Sequence, residues 1–168
     1  MVCHQFVNKP ISVKRVESGS PDMLRLMNKT RRPEKFLADF QRTSRILSEH
    51  DIVHGGNLIF NHPGETERTL NETFAYIESG LTNGQSSLMW AYSAYAHYPG
   101  NAIDQNRAYY EEKFGTEFLR IEWWLEEENP IRASRRVIPS RDLRGDRVML
   151  WWQMLKDREE SIKNSLTE

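Results

Sequence analysis

The feature that most constrains this chain is a slow alternation of strand-like and helix-like segments. Three short runs rich in β-branched and aromatic residues, Ser12–Ser18 (SVKRVES), Ile52–Phe60 (IVHGGNLIF) and Ser87–Tyr95 (SLMWAYSAY), read as strands. Their starts lie roughly 40 residues apart, the period of a strand–helix unit with its loops. Ser20-Pro21-Asp22 opens a first short helix with a cap, a proline at the first helical position and an acid in the first turn. A longer helix is predicted over Pro33–His50, with Phe36, Phe40 and Leu47 on one face and Leu37 beside them. Its other face carries Lys35, Asp39, Arg42, Arg45 and Glu49. The next helix is predicted over Glu65–Ser79, with Leu70, Phe74 and Ile77 along one stripe and Gly80 as its stop. Strands and helices in this order predict an α/β protein with parallel strands joined by right-handed crossovers.

After Tyr98-Pro99-Gly100 the pattern changes. Ile103–Phe114 reads as a helix, Ile121–Glu128 is acidic and tryptophan-rich, and an arginine-rich loop covers Arg132–Arg147. A last amphipathic helix would align Val148, Trp152, Leu155 and Ile162. The expected organisation is a βα domain over residues 1–104 and a helical Trp/Arg-rich extension over 105–168.

Composition narrows the function classes. With 23 basic and 24 acidic residues the net charge is −1, which gives no field for general nucleic-acid or membrane-surface attraction. No apolar run approaches the ~20 residues needed to cross a bilayer, and the first residues lack the apolar core of a secretory signal, so export is not expected. The single cysteine, Cys3, excludes an internal disulfide and any site needing several thiolates from this chain.

In α/β proteins ligands gather at the C-terminal ends of parallel strands. The unusual polar clusters fall at those ends: Glu17-Ser18-Gly19-Ser20, then Asn61-His62-Pro63-Gly64-Glu65-Thr66, then Ala96-His97-Tyr98-Pro99-Gly100-Asn101. A carboxylate at Glu17 suits the two hydroxyls of a ribose, and Pro63-Gly64 sets a tight turn that aims Glu65 at the same rim. Each cluster also has a plain reading, with Ser20 as a helix cap and Pro63-Gly64 as a turn.

Other chemistries find less in the sequence. His4, His50, His54, His62 and His97 show no HxxH or HExxH spacing, although His54, His62 and Glu65 together form a candidate mononuclear metal set. No GxSxG, P-loop or GxGxxG is present. Arg132, Arg135, Arg136, Arg141, Arg144 and Arg147, near Trp123, Trp124, Trp151 and Trp152, form a candidate single-strand nucleic-acid surface. Pairing of these arginines with Glu122 and Glu126 to Glu128, and packing of the tryptophans, is the stronger explanation, so a nucleic-acid partner is not expected.

Val16-Glu17-Ser18-Gly19-Ser20 followed by Met23-Leu24-Arg25-Leu26-Met27-Asn28-Lys29 resembles the "GVESGS…vLk.MnK" segment of radical S-adenosylmethionine enzymes. Leu58 to Thr66 resembles their "fiiGlPGET" segment, and Ala96 to Asn101 their later "P.PGT" loop. The likeness covers Ile11 to Asp104 and is nearest to the branch that includes methylthiotransferases and cobalamin-dependent radical enzymes. It implies a partial TIM-type (βα) barrel in which this chain supplies the fourth to sixth strands. It implies S-adenosylmethionine as cofactor, with Glu17 and Ser18 towards the ribose, Ser20 among the cofactor-binding residues, and Ile59, Asn61 and Glu65 towards the adenine and the barrel mouth. Tyr95, His97 and Tyr98 would face the adenosyl group or the substrate, and cobalamin joins the cofactors that the branch allows. A reducing cytoplasm is implied in the same way.

Three departures stand out. The CxxxCxxC motif that holds the family's [4Fe–4S] cluster is absent, glycine is replaced by Asn61 at the head of the GxPGET segment, and threonine by Asn101 in the PGT loop. The expectation is a C-terminal half that contributes cofactor contacts but is not catalytic alone. An upstream cluster-binding half, a partner chain, or self-association through open sheet edges would complete it. The alternative is a non-catalytic remnant that binds a ligand or a protein.

Overall fold

The computed structural model describes residues 11–82, 88–119, 122, 125, 137–144, 153, 154 and 157. Its described elements are β1 (Ile11–Glu17), α1 (Pro21–Leu26), α2 (Pro33–Glu49), β2 (Val53–Phe60), α3 (Glu67–Thr82), β3 (Leu88–Ala94), α4 (Ala102–Gln105), α5 (Arg107–Phe114), β4 (Glu117–Phe118) and β5 (Val137–Ile138). The first three strands make one parallel sheet in the order β1-β2-β3, so the chain is α/β. Ile11 pairs with Val53 and Arg15 with Asn57, after which the register slips so that Glu17 pairs with Leu58. That slip is a bulge, and it lies where β1 ends. β4 and β5 form a separate antiparallel pair that sequence patterning does not reveal. No described helix is long and apolar enough to cross a membrane.

The helix starts follow their capping chemistry. Ser20 accepts the amide of Met23 at 3.4 Å and Pro21 opens α1. Thr66 and Thr69 cap α3 reciprocally, each hydroxyl accepting the other's backbone amide, at 2.9 and 3.3 Å. Leu70, Phe74 and Ile77 are buried as the periodicity predicts. α3 begins at Glu67 rather than Glu65 and runs through Gly80 to Thr82. A glycine inside a helix costs only about 1 kcal/mol, and Gly80 is buried within α3.

Two further helical expectations are corrected. The predicted Ile103–Phe114 helix is two, α4 and α5, broken at Asn106, whose side-chain amide donates to the Ala102 carbonyl at 2.7 Å and so competes with helical pairing. In α2 the fully buried positions are Pro33, Leu37, Ser44 and Ser48, while Phe36, Phe40 and Leu47 are only half-buried. The last predicted helix, Val148 to Ile162, lies mostly outside the described residues. In the extension the described residues include β4 and β5 as well as α5.

Chain contacts group into two compact units: Met1–Leu58 with Thr73–Tyr92, and Ile59–Glu72 with Ser93–Glu168. The first unit has its core in Val16, Met23, Leu24, Leu58, Phe74 and Ile77, and the second in Phe60, Leu70, Tyr95, Tyr110, Val137 and Leu143. In the first, Gly19 lies directly under α3. A Cβ there would come within 2.5 Å of Tyr76 Cβ and 2.9 Å of the Thr73 Cα, so no side chain fits without moving the helix. Gly19→Ala is therefore expected to lower stability by about 1–3 kcal/mol in urea unfolding. Gly100→Ala meets open space and should lose only about 1 kcal/mol, from its left-handed backbone at φ 76°.

Candidate functional site

In the first unit, the end of β1 is strained. Glu17 follows the bulge with φ 73°, in the left-handed region that a non-glycine residue occupies at a cost of about 1–3 kcal/mol. Its neighbours Val16, Ser18, Gly19 and Ser20 are buried, whereas the Glu17 side chain retains 18% exposure and accepts from Lys29 Nζ at 3.3 Å. The two serines are held by the protein itself. Ser18 Oγ lies 3.0 Å from Thr73 Oγ1 and also accepts the Ser20 amide at 3.0 Å. Thr73 Oγ1 accepts the Gly19 amide at 3.2 Å. Ser20 caps α1. Of Glu17, Ser18 and Ser20, the cofactor-binding candidates at this strand end, only Glu17 presents a partly exposed side chain, because the turn uses both serine hydroxyls internally.

The second unit contains the loop after β2. Asn61 also adopts a left-handed backbone, φ 58°, and its amide donates to Glu65 Oε2 at 2.7 Å. Glu65 N donates to the His62 carbonyl at 2.9 Å across Pro63 and Gly64, and Gly64 has φ 85°. That is the geometry of a tight turn with proline and glycine at its centre. Glu65 is not on a surface rim: it is 1% exposed, and burial pushes its carboxyl up to about 8, partly offset by the Asn61 amide. His62 is buried too, and burial lowers its imidazole to about 4 against the opposing effect of its bond to the Pro63 carbonyl. Its ring meets Tyr95 edge-on at 5.2 Å. Pro139, just after β5, accepts the Gly64 amide at 2.7 Å and the Thr116 hydroxyl at 2.7 Å. Ile59 lies on β2, half-buried.

The loop after β3 centres on Asp104. Its Oδ1 accepts His97 Nε2 at 2.9 Å and lies 3.4 Å from Arg107 Nε, and its Oδ2 accepts the Gly100 amide at 2.8 Å. The Gly100 amide first, then His97, holds the Asp104 carboxyl below the usual carboxylate range. With Nε2 directed at a carboxylate, His97 is left with a buried Nδ1 that has no hydrogen-bond partner among the described residues. The Tyr95 hydroxyl is likewise buried without a well-formed hydrogen bond among the described residues, and burial raises it to about 12 against the lowering effect of the nearby Asn101 side chain. Tyr98 is 58% exposed. Sequence reasoning passed over Asp104, yet Asn101-x-x-Asp104 carries a capping signature, and Asn101 Oδ1 accepts the Asp104 amide at 2.8 Å.

The alternative chemistries also have structural outcomes. His54 uses both ring nitrogens, donating from Nδ1 to the Ile52 carbonyl at 2.9 Å and accepting the Ser44 hydroxyl at Nε2, so it offers no lone pair to a metal. Arg141 caps α5 by donating to the carbonyls of Lys113 and Glu112 at 3.3 and 3.1 Å, and Arg144 pairs with Glu117. Arg132, Arg135, Arg136, Arg147 and the four tryptophans near them lie outside the described residues, as does Cys3.

Comparison with protein-family models, with curated proteins and with solved structures finds no match to this chain.

The buried pair in the β2 loop sets a pH signature. Glu65 holds a proton in the folded state between its ordinary 4.5 and about 8, so its contribution to stability falls as pH rises through that window. His62 is neutral when folded but charged when unfolded between about 4 and 6.5, so its contribution rises with pH there. The two oppose each other between 4.5 and 6.5, each at no more than about 1.4 kcal/mol per pH unit. Urea unfolding across pH should show a plateau to 6.5 and then a decline to 8. Glu65→Gln should convert this into a rise to 6.5 followed by a plateau, and an unchanged profile would remove Glu65 as the cause.

Proposed function

We propose that this chain is the C-terminal half of a radical S-adenosylmethionine enzyme, a partial TIM-type barrel that supplies nucleoside contacts to the cofactor. The observation that carries the reading is Glu17: a carboxylate at the C-terminal end of a parallel strand, strained at φ 73° and still partly exposed among buried neighbours. Backbone strain of that kind concentrates at functional sites. A carboxylate has the acceptor sites to receive both hydroxyls of a ribose, and Lys29 Nζ holds this one at 3.3 Å. Asn61, Glu65 and Ile59 towards the adenine, and Tyr95, His97 and Tyr98 towards the adenosyl group or substrate, belong to the same proposal and rest on the motif resemblance.

The [4Fe–4S] cluster does not fit the residues present. Three thiolates are needed and the chain has one cysteine, so the cluster and its chemistry would belong to a separate cluster-binding half. Cobalamin and a cytoplasmic setting rest on the resemblance alone. A second reading, a binding module without chemistry, draws support from Ser18, Ser20 and Glu65, whose side chains are committed to internal bonds.

Calorimetric titration with 5′-methylthioadenosine, which carries the nucleoside without the amino-acid end, separates these outcomes. The chain is expected to bind it at up to millimolar concentration, and Glu17→Ala to bind about tenfold more weakly. The 2′,3′-dideoxy analogue should bind both forms alike. Equal binding of the natural nucleoside to both forms removes the ribose role, and no binding to either overturns the reading.

A further inference from the structure

The first unit contains a hollow that the nucleoside reading does not use. It encloses about 360 Å³ and is lined by Lys14 and Arg15 of β1, Lys29, a run of α2 from Phe36 to Leu47, and His54 of β2. Its volume lies within the range of small-molecule sites. We propose that this hollow binds a small organic anion with an apolar body and a single carboxylate or sulfonate head.

The apolar wall comes from α2. Phe36, Phe40 and Leu47 stay half-buried although they form the helix's apolar face, so the described chain leaves that face partly unfilled. Phe40 is backed by the Trp90 ring at 5.7 Å, and Trp90 in turn meets Tyr76 at 6.0 Å, so the wall is braced rather than free to collapse. The lining polar groups His54, Ser44 and Thr43 are satisfied within the protein, while the indole nitrogen of Trp90 behind Phe40 is buried without a partner among the described residues. His54 and Ser44 bond each other, His54 bonds the Ile52 carbonyl at 2.9 Å, and the Thr43 hydroxyl donates to the Asp39 carbonyl at 2.8 Å. An apolar body placed there strips no unmet donor or acceptor of water.

The charge at the rim selects the head group. Lys14, Arg15 and Lys29 outnumber Asp39, whose carboxylate already accepts from Lys35 at 2.6 Å and Arg42 at 3.2 Å. Lys29 pairs with Glu17, while Lys14 and Arg15 are exposed and have no ion-pair partner among the described residues. Consecutive strand residues point to opposite faces, so one unpaired cation of β1 joins Lys29 beside the unfilled apolar wall, and the two complement an anion carrying a hydrophobic chain or ring. The same cations disfavour a strand as the occupant. Charged side chains on an edge strand oppose strand addition, and a second copy paired through β1 would bring Lys14 and Arg15 against their own equivalents.

Decanoate, with decanol as its uncharged counterpart, tests this by titration into the isotopically labelled chain followed by amide NMR. Decanoate is expected to shift resonances of Lys14, Arg15, Phe40, Thr43 and Leu47 and to bind about tenfold more tightly than decanol. The exposed double variant Lys14→Ala/Arg15→Ala should fold normally and bind the two probes alike. Three results overturn the proposal: equal affinities in the unaltered chain, shifts confined elsewhere, or sedimentation showing that copies associate through β1 and exclude decanoate. Lys29 borders both the hollow and Glu17, and the double variant leaves it in place, so the decanoate and methylthioadenosine titrations report on the two sites separately.

Discussion

The Thr73 hydroxyl joins three parts of the first unit. From inside α3 it accepts the Gly19 amide and bonds Ser18, while Ser18 accepts the amide of Ser20, which caps α1. The end of β1, the turn and the start of α1 therefore form one hydrogen-bonded body beneath α3, and Gly19 lets the helix sit close enough to make it. The consequence for Glu17 is direct. With Ser18 and Gly19 fixed on one side and the ladder to β2 on the other, the slack is taken up at the bulge. The left-handed backbone at Glu17 is the result, and it turns the carboxylate away from the buried residues on either side. A serine-glycine-serine turn that looks like ligand machinery thus acts first as scaffolding for one acid.

The loop after β2 uses a different device. The Glu65 side chain returns to the Asn61 amide, and the Gly64 amide is held by the Pro139 carbonyl, so a short turn is closed from within and tied to a segment far along the chain. Burial of an acid normally opposes folding, and here the acid remains protonated at neutral pH, as an uncharged hydrogen-bonding group. Next to it His62 remains uncharged for the same reason. A neutral, closed loop of this kind offers shape and backbone groups to a neighbour more readily than charge.

Much of the fold was legible because it rests on local pattern. Strand positions came within a residue or two from β-branched content, and the Ser20 cap with Pro21 fixed the start of α1. What failed depended on tertiary context. Gly80 looks like a stop in sequence, but burial within α3 outweighs its weak helical propensity. Asn106 breaks a helix through a side-chain bond that periodicity does not register. β4 and β5 are two residues each, too short for any alternation to show. The candidate site was legible at Glu17 as a residue type at a strand end, and illegible at Thr73 and Pro139, whose roles exist only through partners 54 and 75 positions away.

The arginine-rich segment shows how composition misleads where geometry decides. In sequence Arg141 and Arg144 belong to a basic cluster suggestive of a polyanion surface. In the fold Arg141 meets the carbonyl end of α5, where a helix presents partial negative charge, and Arg144 meets Glu117 at the start of β4. The same second unit gathers His97, Arg107 and the Gly100 amide around Asp104, which only the capping pattern Asn101-x-x-Asp104 marks in the sequence. One carboxylate orienting an imidazole leaves that ring's other nitrogen buried without a partner among the described residues, which is the condition a ligand group or an ordered water satisfies. In this unit, then, functional potential follows the distribution of unmatched buried groups around Asp104 rather than the density of positive charge along the chain.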